Sequence, residues 1–507
     1  MMGHTCHKIP LDKLLTPWFV CDFDSIYVSG ITLDSREIVA DNLFVALQGA
    51  KLDGRAYIDN AIAQGACAVL SETKQPNEHG HITLNGAVPI ISIYQLSAIL
   101  SGLAYRFHFQ EKPLHKVIAV TGTNGKTTIA SLLANAFTLL GLQSAQMGTI
   151  GNGLFGKLKS SENTTLDALS VFAQLNCYQS SGVDYTVMEV SSHGLAQDRV
   201  SALPFHSAIF TNLSRDHLDY HETMENYAAT KKRLFTEYPL THRIINGDDL
   251  VGRTWLSEFP DAIVYGFNAS DFAQLHRYLQ ITNVEYLAKG ITFSFTSSWG
   301  KGNISAPFYG DFNVANLAAV LTQLLAENFP VSVLEALFTK LSAVPGRMEQ
   351  YLFAKQKVTF VVDYAHTPDA LEKALVALQK HKSSGRLIAV FGCGGDRDKG
   401  KRAEMAKIAE TFAQKVVLVD DNPRSEPASE IMKDILSGFT KPDEVEVIHD
   451  REQAILSLLA TSQPNDIILL AGKGHEDYQI IADKRYDYSD RKVLAELQKQ
   501  YNRIDEC

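Results

Sequence analysis

Residues 117–128 read VIAVTGTNGKTT, and this stretch decides the fold class of the region around it. A short apolar run typical of a buried strand leads into a glycine-rich loop, and a helical pattern follows. In that pattern the apolar residues recur every three or four positions, at Ile129, Leu132, Leu133, Ala136, Phe137 and Leu140. Gly141 is placed to end the helix, because glycine readily adopts the left-handed conformation found there. The stretch predicts a strand, a loop and a helix of an α/β domain.

The loop itself is a candidate phosphate site. Glycines let backbone N–H groups close around a phosphate, and the helix N-terminus adds partial positive charge. Lys126 can reach the β- and γ-phosphates of a nucleotide, and the Thr127 hydroxyl can ligate Mg²⁺. Val120 stands where the general Walker pattern has its first glycine, so an ordinary glycine-rich turn is the alternative. The predicted contacts are Gly122, Thr123, Asn124, Gly125, Lys126, Thr127 and Thr128.

Apolar runs of strand length recur before and after this loop. They are ITL, LFVAL, CAVLS and PIISI in residues 1–112, and then YTVMEV (185–190), SAIFTN (207–212), VTFVVDY (358–364), LIAVFG (387–392), KVVLVD (415–420) and DIILLAG (466–472). Residues 1–112 add one helical stretch, YIDNAIAQGA. The alternation of such runs with helical segments predicts parallel sheets built from βαβ units.

The pattern changes at two places, so we predict three domains. The first boundary lies near Lys116, and the second lies near SAVPGRMEQ (342–350), where Pro345 and Gly346 interrupt the periodicity. The expected fold class is α/β, with a small N-terminal α/β domain (1–112), a central P-loop ATPase domain with a mainly parallel sheet (113–345) and a C-terminal Rossmann-like domain (346–507). Ligands bind beyond the carboxyl ends of strands in such sheets, which predicts two site rims and a reaction between the domains.

The composition narrows the class of protein. The chain has 507 residues, 45% of them hydrophobic, and a formal charge of -10, which argues against general nucleic-acid binding. Its six cysteines have no paired spacing, so neither a disulfide framework nor a zinc knuckle is expected. The sequence shows no signal-peptide pattern and no apolar run near the roughly 20 residues that span a bilayer. We expect a cytoplasmic monomer.

The motifs that follow the strands resemble those of one superfamily. A strand ending in TGTNGKTT is similar to that of the Mur ligases and folylpolyglutamate synthetases, and ENTT, SSHGLAQDR, DNPR and GKGHE resemble the motifs of Mur ligases that add meso-2,6-diaminopimelate. The resemblance covers nearly the whole chain. It implies an ATP- and Mg²⁺-dependent ligase of peptidoglycan synthesis. The substrates would be a UDP-N-acetylmuramoyl dipeptide, whose D-glutamate carboxylate is phosphorylated by ATP, and diaminopimelate, whose amine attacks the acyl phosphate.

The resemblance also implies a set of catalytic and metal-binding residues. Thr127 and Glu189 would serve one Mg²⁺, and His217 with Lys231 a second, with Lys231 carbamylated to N6-carboxylysine. Lys126 and these three residues, Glu189, His217 and Lys231, are the predicted catalytic groups. From composition alone, a glutamate at a strand end is often a cap, and the run Lys231-Lys232-Arg233 is typical of a solvated helix face.

Substrate contacts are assigned by matching residues to the family motifs. The UDP-muramoyl-peptide would contact Leu33, Ser35, Ala50, Lys51, Leu52, Asn163, Thr164, Thr165, Ser191, Gln197 and Arg199. Asn313 would contact adenine, Asp363 the ribose and Arg347 the γ-phosphate, with His366 on the same rim. For Arg347 the alternative is an interdomain salt bridge.

The last motif set predicts the amino-acid pocket, which comprises Arg397, Asp421, Asn422, Pro423, Arg424, Gly472 and Glu476. Lysine and diaminopimelate differ by a distal carboxylate, and the rigid fork of a guanidinium is suited to read it. Glu476 would hold the partner ammonium. Alternatively, DNPR is only a turn, because Asn-Pro often initiates one. One departure from the family pattern is Glu222, where these enzymes commonly have glycine.

Two rival functions remain open at this point. One is a ligase of the same fold that uses lysine or a folate acceptor. The other is a nucleotide-gated binding or regulatory protein that performs no ligation. Phosphate release that requires both the acceptor and the amino acid would separate a ligase from such a binding protein.

Overall fold

The structure is a computed structural model that describes residues 8–49, 52–110, 112–161, 163–274, 277–287, 290–382 and 384–503. The chain divides into two compact units, residues 1–130 with 141–243 and residues 131–140 with 244–507. In the described ranges, no helix has both the length and the apolar character needed to cross a membrane. The boundaries of the three predicted domains stay predictions.

In its described residues, the first unit contains two sheets of mainly parallel strands with helices packed on them, together with a short antiparallel pair of strands. Its strands are β1 (Ile9–Pro10), β2 (Tyr27–Val28), β3 (Gly30–Thr32), β4 (Asn42–Ala46), β5 (Ala66–Thr73), β6 (Ile82–Asn85), β7 (Val88–Tyr94), β8 (Lys116–Thr121), β9 (Ser144–Gly148), β10 (Gly151–Leu154), β11 (Tyr185–Glu189) and β12 (Ser207–Phe210). Its helices are α1 (Leu11–Leu15), α2 (Ile58–Ala63), α3 (Leu96–Phe109), α4 (Lys126–Leu139, which begins in this unit), α5 (Ala168–Ser180), α6 (Ser192–Ala196), α7 (Leu218–His221) and α8 (Met224–Thr236).

The N-terminal sheet has the strand order β3-β4-β5-β7-β6, and only β6 runs antiparallel to its neighbour. The four predicted strands of residues 1–112 are therefore confirmed as β3, β4, β5 and β7. The prediction of a single helical stretch there is wrong, because the region also contains α1 and α3, and α3 is longer than the predicted α2. Ser101 and Gly102 interrupt the apolar run of α3 in the sequence, yet Ser101 is buried and accepts a hydrogen bond from the Ala202 N–H.

Strand β8, which contains the VIAV run before the phosphate loop, lies between β11 and β12 in the second sheet of this unit. The order is β10-β9-β11-β8-β12, with β9, β11, β8 and β12 parallel and β10 antiparallel. Parallel strands bring their carboxyl ends to the same edge of a sheet. The loop after β8, the end of β11 and the segment after β12 therefore meet at one edge, which is where the site is built.

The second unit includes the later part of α4 and then continues from residue 244, within β13, to the last helix. Its strands are β13 (His242–Asn246), β14 (Ile263–Gly266), β15 (Arg277–Leu287), β16 (Gly290–Ser297), β17 (Gly300–Ala306), β18 (Glu349–Phe353), β19 (Val358–Asp363), β20 (Leu387–Phe391), β21 (Lys415–Leu418), β22 (Glu446–Val447), β23 (Ile467–Ala471), β24 (Tyr478–Ile481) and β25 (Lys484–Asp487). Its helices are α9 (Leu250–Leu256), α10 (Asp311–Ala326), α11 (Val331–Phe338), α12 (Pro368–His381), α13 (Gly400–Phe412), α14 (Ala428–Leu436), α15 (Arg451–Thr461) and α16 (Asp490–Arg503).

Residues 277–287 and 290–306 contain antiparallel strands that the sequence patterns did not predict. Strands β13, β14 and β15 are parallel, and β15, β16 and β17 form an antiparallel meander. Only one face of these last strands is buried, so their residues alternate between apolar and polar. The continuous apolar runs that identified the parallel strands are therefore missing from this region.

The C-terminal sheet has the order β18-β19-β23-β20-β21-β22, and all neighbours are parallel except β18 and β19. Alternate residues of each central strand face opposite cores. Val361 and Leu469 pack with α12, α13 and α14 on one face, and Val362 and Leu470 pack with α15 and α16 on the other. Helices on both faces of a parallel sheet define the doubly wound architecture that was predicted as Rossmann-like.

Candidate active site

The phosphate loop lies between β8 and α4, as predicted, and its lysine folds back onto it. Lys126 Nζ donates to the carbonyl oxygens of Gly122 at 2.9 Å and Thr123 at 2.8 Å. Gly122 and Gly125 have φ angles of 145° and 86°, which are unfavourable for other residues. Thr127 and Thr128 are buried in the first turn of the helix. The ammonium is thus held over the loop by hydrogen bonds to the carbonyl oxygens of the loop itself.

The segment after β12 holds the loop in shape. The N–H of Thr123 donates to the Asn212 carbonyl at 2.8 Å, and the N–H of Asn124 donates to the Asn212 side chain at 3.0 Å. Thr211 Oγ1 donates to the Asn124 carbonyl at 2.6 Å. A Cβ atom on Gly122 would lie only 1.9 Å from Thr211 Oγ1, so this position requires glycine. These contacts fix the backbone of the predicted phosphate site from a neighbouring strand.

Glu189 ends β11 with no exposed surface and points at the start of α4. Its Oε2 accepts a hydrogen bond from Thr127 Oγ1 at 2.9 Å, and Oε1 accepts one from the Thr149 N–H at 2.8 Å. A Cβ on Gly148 would lie 2.1 Å from Glu189 Oε1, so this glycine makes room for the carboxylate. A buried carboxylate beside a hydroxyl offers the hard oxygen ligands that Mg²⁺ prefers. The two residues predicted for one metal ion are therefore adjacent.

Lys231 lies on α8 and is 1% exposed, so the interpretation of its basic run as a solvated helix face is wrong for this residue. Its Nζ donates to the carbonyl of Gly122 at 2.9 Å, which is the carbonyl that also accepts from Lys126. The nitrogen lies 4.6 Å from the centre of the Tyr227 ring. Burial, and then the charge of Lys126, hold the pKa of Lys231 well below its usual value. A buried lysine with such a pKa is readily neutral and nucleophilic.

His217 precedes α7 and belongs to a cluster of aromatic rings. Its ring centre lies 5.0 Å from that of His193 and 6.1 Å from that of Tyr227, whose ring also meets His221 at 5.0 Å. Burial, and then the charge of His217, lower the pKa of His193. Lys231 and His217 thus approach the same Tyr227 ring, although the structure records no direct contact between these two predicted metal ligands.

The residues predicted to hold the muramoyl-peptide adjoin Glu189. Thr164 Oγ1 lies 3.1 Å from Thr149 Oγ1, and Thr165 Oγ1 donates to the Glu189 carbonyl at 3.0 Å. Arg199 donates to the Thr165 carbonyl at 2.6 Å and to Gln197 Oε1 at 2.6 Å. Ser191 Oγ accepts from the Gly194 N–H at 3.0 Å and so caps α6, and Asn163 is exposed. The structure brings this set together around the end of β11.

The predicted uridine segment lies in the N-terminal sheet region. Ser35 is buried and accepts a hydrogen bond from Asn60 Nδ2 at 3.4 Å, Leu33 is half-buried, and Leu52 is 70% exposed. Ala50 and Lys51, which were also predicted to contact the nucleotide, lie outside the described residues. The side chain of Leu52 is 70% exposed and is therefore accessible to a ligand. The Ser35 hydroxyl is already hydrogen-bonded within the protein, so a ligand would share it with Asn60.

In the second unit, Asn313 lies in the first turn of α10 and is 2% exposed. Its Nδ2 donates to the Tyr309 carbonyl at 2.7 Å, and its Oδ1 accepts from Asn316 Nδ2 at 3.0 Å. Both ends of the amide are therefore used to shape the helix start. The sequence pattern identified the segment, but it could not indicate that this side chain turns inward.

Asp363 ends β19 and connects the loop before β18 to the strand. Its carboxylate accepts hydrogen bonds from the N–H groups of Met348 and Ala365, both at 2.9 Å. Burial raises the pKa of Asp363, while the nearby charge of Arg347 opposes that shift. The guanidinium of Arg347 lies 4.9 Å from the Tyr364 ring centre, and its buried Nε has no hydrogen-bond partner among the described residues. The alternative of a salt bridge for Arg347 finds no support within these residues.

The turn at Gly346 packs directly on the GKGHE motif. A Cβ on Gly346 would lie 2.1 Å from the backbone of Gly474 and His475. The ring of His475 lies 5.1 Å from that of Tyr364, and burial, reinforced by Arg347, lowers the pKa of His475 to about 4. His366 Nδ1 lies 2.8 Å from the Tyr364 carbonyl oxygen. The predicted γ-phosphate residue and the predicted amino-acid motif are therefore neighbours.

The DNPR motif follows β21 and forms a turn in which Arg424 has a φ of 54°. Arg424 Nη1 donates to the Gly395 carbonyl at 2.8 Å, and the backbone of Arg424 pairs with Ile481 of β24. Asn422 is buried and donates to Glu476 Oε2 at 3.2 Å. The alternative that DNPR is a turn is thus correct for the backbone, yet the turn also joins two predicted pocket residues. Gly472, at φ 108°, directly follows β23, and Arg397 is exposed.

Sequence reasoning missed Lys473, although GKGHE contains it. Its side chain has no exposed surface, and it contacts Asp421, Asn422 and Glu476. A lysine inside a short glycine motif does not indicate burial by itself. The signal that could have found it is the presence of two carboxylate motifs and one basic residue after parallel strands of the same sheet, β21 and β23.

Comparison with known proteins identifies the family. Three family models match the chain: the catalytic domain of the Mur ligase family over residues 27–108, the Mur ligase middle domain over 120–324, and the glutamate ligase domain of Mur ligases over 346–474. A UDP-N-acetylmuramoyl-L-alanyl-D-glutamate–2,6-diaminopimelate ligase of Haemophilus influenzae (strain PittEE) is 48% identical over 476 residues, which cover 94% of this chain and 97% of that protein.

Solved structures agree with the sequence comparison. The structure of a UDP-N-acetylmuramoyl-L-alanyl-D-glutamate–2,6-diaminopimelate ligase superposes with a TM-score of 0.72 at 34% identity, covering 98% of this chain and 100% of that one. A MurF ligase from Thermotoga maritima in complex with ADP, 19% identical, has the same fold, with a TM-score of 0.58 over 93% of this chain and 98% of that one. The α/β fold class and the predicted resemblance are confirmed. On identity, coverage and domain order together, this chain belongs to the Mur ligase family.

Proposed function

We propose that this protein is an ATP-dependent, ADP-forming ligase that joins meso-2,6-diaminopimelate to the D-glutamate of UDP-N-acetylmuramoyl-L-alanyl-D-glutamate in peptidoglycan synthesis. The 48% identity to the Haemophilus influenzae ligase over 94% of the chain carries this proposal. The arrangement at the phosphate loop supports it, because a buried carboxylate–hydroxyl pair lies beside two lysines that share one carbonyl. Such a site suits the transfer of a phosphoryl group to a carboxylate.

We propose that Thr127 and Glu189 hold one Mg²⁺ and that His217 and Lys231 hold a second. The donor chemistry fits, since the Thr127 hydroxyl and the Glu189 carboxylate lie 2.9 Å apart and both are oxygen ligands. When bound, Mg²⁺ would neutralise the crowded phosphate and carboxylate oxygens. The protein would keep the Glu189 carboxylate in position through the hydrogen bond that the Thr149 N–H donates to Oε1.

Lys231 would act as a carbamate. Its neutral amine would attack the carbon of CO₂, form an N–C bond and release a proton, which converts a cation into an anionic oxygen ligand. The lowered pKa of Lys231, caused by burial and by Lys126, supports this step, because only the neutral amine is a nucleophile. The modification would also relieve the repulsion between two ammonium groups at the Gly122 carbonyl.

The remaining predicted residues would position the substrates. Lys126 would exchange its two loop carbonyls for phosphate oxygens. The Nε of Arg347, which has no hydrogen-bond partner in the part of the chain that the structure describes, would donate to a phosphoryl oxygen. The substrate carboxylate would attack the γ-phosphorus of ATP and displace ADP. The diaminopimelate amine would then attack the carbonyl carbon of the acyl phosphate and lose a proton, and inorganic phosphate would leave. Positioning and charge neutralisation supply most of the catalysis in such a reaction.

The site of action is part of the proposal as well. We infer that the enzyme works as a monomer in the cytoplasm, where ATP and the UDP-linked precursor are available. The adenine contact predicted for Asn313 and the ribose contact predicted for Asp363 belong to the same proposal. So do the uridine contacts predicted for Leu33, Ser35, Ala50, Lys51 and Leu52. Support for ATP as the phosphoryl donor includes the complex of the Thermotoga maritima relative with ADP.

A phosphate-release assay tests the proposed function. The purified protein is supplied with ATP, Mg²⁺ and the UDP-muramoyl dipeptide, together with diaminopimelate or lysine. We expect phosphate release and a new UDP-linked tripeptide only when the dipeptide and diaminopimelate are both present. Release without any amino acid would favour a nucleotide-gated binding protein, and a preference for lysine or for a folate acceptor would replace the substrate assignment.

A further inference from the structure

Lys473 lies two residues after β23, in the GKGHE motif, and its side chain has no exposed surface. Lysine is almost never fully buried unless its charge is paired. Here the ammonium donates to Asn422 Oδ1 at 2.8 Å, to the Tyr478 carbonyl at 2.9 Å and to Glu476 Oε2 at 3.2 Å. It also forms an ion pair with Asp421 Oδ1 at 3.0 Å.

These contacts tie three separate parts of the chain to one nitrogen atom. Asp421 and Asn422 follow β21, Glu476 follows β23, and Tyr478 begins the β24–β25 hairpin. Two hydrogen bonds orient the Asn422 side chain, since its Oδ1 accepts from Lys473 and its Nδ2 donates to Glu476 Oε2 at 3.2 Å. The ammonium therefore determines which way the side chains at these strand ends point.

The charges around Lys473 do not balance. Two carboxylates, those of Asp421 and Glu476, face one ammonium, and both retain some exposed surface, 13% and 15% respectively. One negative charge is left in excess at a partly dehydrated position, where an additional cation is stabilised. The far end of diaminopimelate carries an ammonium next to its carboxylate, and an ammonium is the cation that this excess charge would attract.

A cationic partner for the far carboxylate lies on the same turn. Arg424 uses Nη1 to bind the Gly395 carbonyl at 2.8 Å, and its Nε and Nη2 have no hydrogen-bond partner among the described residues. The pocket thus presents a guanidinium with free N–H groups and a carboxylate pair with one uncompensated charge. This arrangement matches a zwitterion rather than a single charge.

We propose that Lys473 is a positioning residue of the amino-acid pocket, and that it orients Asp421 and Glu476 so that their excess negative charge selects the far ammonium of the incoming amino acid. The inference rests on the proposed function, since it assumes that diaminopimelate is the amino acid. Lys473 itself would not touch the substrate, because its side chain is enclosed by the groups that it holds.

The test compares diaminopimelate with 2-aminopimelate, which lacks only the far ammonium. The ratio of kcat/KM for the two compounds is measured in the wild type and in Lys473→Met, with KM for ATP as a second readout. We expect kcat/KM for diaminopimelate to fall about a hundredfold, as is common when a buried charge loses its partner. The ratio should fall with it, while KM for ATP stays within about threefold. Arg424→Ala is the matched comparison, because it should weaken both compounds, which share the far carboxylate, and leave their ratio unchanged.

The ratio of kcat/KM for the two compounds distinguishes a positioning role of Lys473 from a purely structural one. An unchanged ratio in Lys473→Met, with both activities reduced, would show a purely structural role and overturn the proposal. If that variant does not fold, Lys473→Gln, which keeps N–H donors without the charge, gives the same ratio. In wild-type protein labelled with ¹⁵N-lysine, a buried ammonium signal should shift with diaminopimelate but not with 2-aminopimelate, and identical shifts would contradict the inference without any variant. Wild-type protein that does not ligate diaminopimelate would refute the proposed function and this inference together, whereas the other outcomes concern Lys473 alone.

Discussion

Glu222 has a backbone conformation that its side chain opposes. It follows α7 with φ 67° and ψ -51°, and the Thr223 N–H donates across it to the His221 carbonyl at 2.8 Å. This is a γ-turn with positive φ, which is rare and strained for residues that have a Cβ. The resemblance to the Mur ligases predicts glycine at this position, and the observed backbone gives the physical reason.

Replacing Glu222 by glycine should therefore stabilise the protein. Removing the strain contributes about 1–3 kcal/mol, and the greater freedom of glycine in the unfolded chain offsets about 0.5–1 kcal/mol of it. We expect Glu222→Gly to raise the free energy of unfolding by about 1 kcal/mol in a denaturant titration. Glu222→Ala keeps the Cβ and removes only the charge, so it should give no such gain. An equal gain in the alanine variant would attribute the effect to the carboxylate instead.

Lys231 is buried against the phosphate loop, and this position supports a specific chemical role for its side chain. Loss of an anionic ligand at the phosphoryl-transfer site should lower kcat by roughly 10²–10³, so we expect Lys231→Ala to be nearly inactive while remaining folded. Short-chain carboxylates added to the assay should restore part of the activity by supplying the missing anion. Lys232→Ala is the control, because Lys232 is a neighbouring lysine that is only partly buried. Full activity of Lys231→Ala would exclude the carbamate.

At the level of elements, His381 links α12 to the start of α10. The Gly310 N–H donates to His381 Nε2 at 3.0 Å, so Nδ1 must carry the proton that bonds to the Leu287 carbonyl at 2.9 Å. The ring stacks on Tyr309 with 4.2 Å between the ring centres. Protonation of Nε2 would place a second donor against the Gly310 N–H. This link therefore requires the neutral imidazole.

The link predicts a pH dependence of stability. Burial lowers the pKa of His381 in the folded protein, so the unfolded chain binds the proton more readily as the pH falls below about 6.5. The free energy of unfolding should thus be undiminished above that pH and should decrease below it. His381→Gln can donate and accept in the same way without titrating, so it should lose less stability between pH 7.5 and pH 5 than the wild type. The exposed His81→Gln should behave like the wild type, and the same loss in all three proteins would exclude His381 as the cause.

The elements also show where sequence patterns suffice. Strands such as β8 and β23 are buried on both faces, so their apolar runs are continuous and were predicted. The meander β15–β17 is buried on one face and contains glycines, so its pattern is weak. Motif positions located Glu189 and the DNPR turn, because polar residues after parallel strands must share an edge. The inward turn of Asn313 and the burial of Lys473 depend on contacts between distant segments, which no local pattern records.

For the whole molecule, Gly346 is a position where a single added methyl group should have a large effect on stability. It has φ 64°, and an added Cβ would meet the backbone of Gly474 and His475 at 2.1 Å. Because backbone atoms cannot rotate away, Gly346→Ala should lower the free energy of unfolding by about 2–4 kcal/mol, which combines overpacking and positive φ. Gly86→Ala has a matching φ of 63° and open space around it, so it should cost only about 1 kcal/mol. Equal losses would show that the close approach is unimportant.

The contact between Gly346 and the Gly474 backbone also limits how this protein can change over generations. A clash between side chains can be relieved by a second mutation that trims the opposing residue, but no codon removes a main-chain atom. Gly346 and Gly474 are both buried, and a Cβ on either one would meet neighbouring atoms at 2.6 Å or less, so substitutions at either position should destabilise the protein and glycine should persist at both.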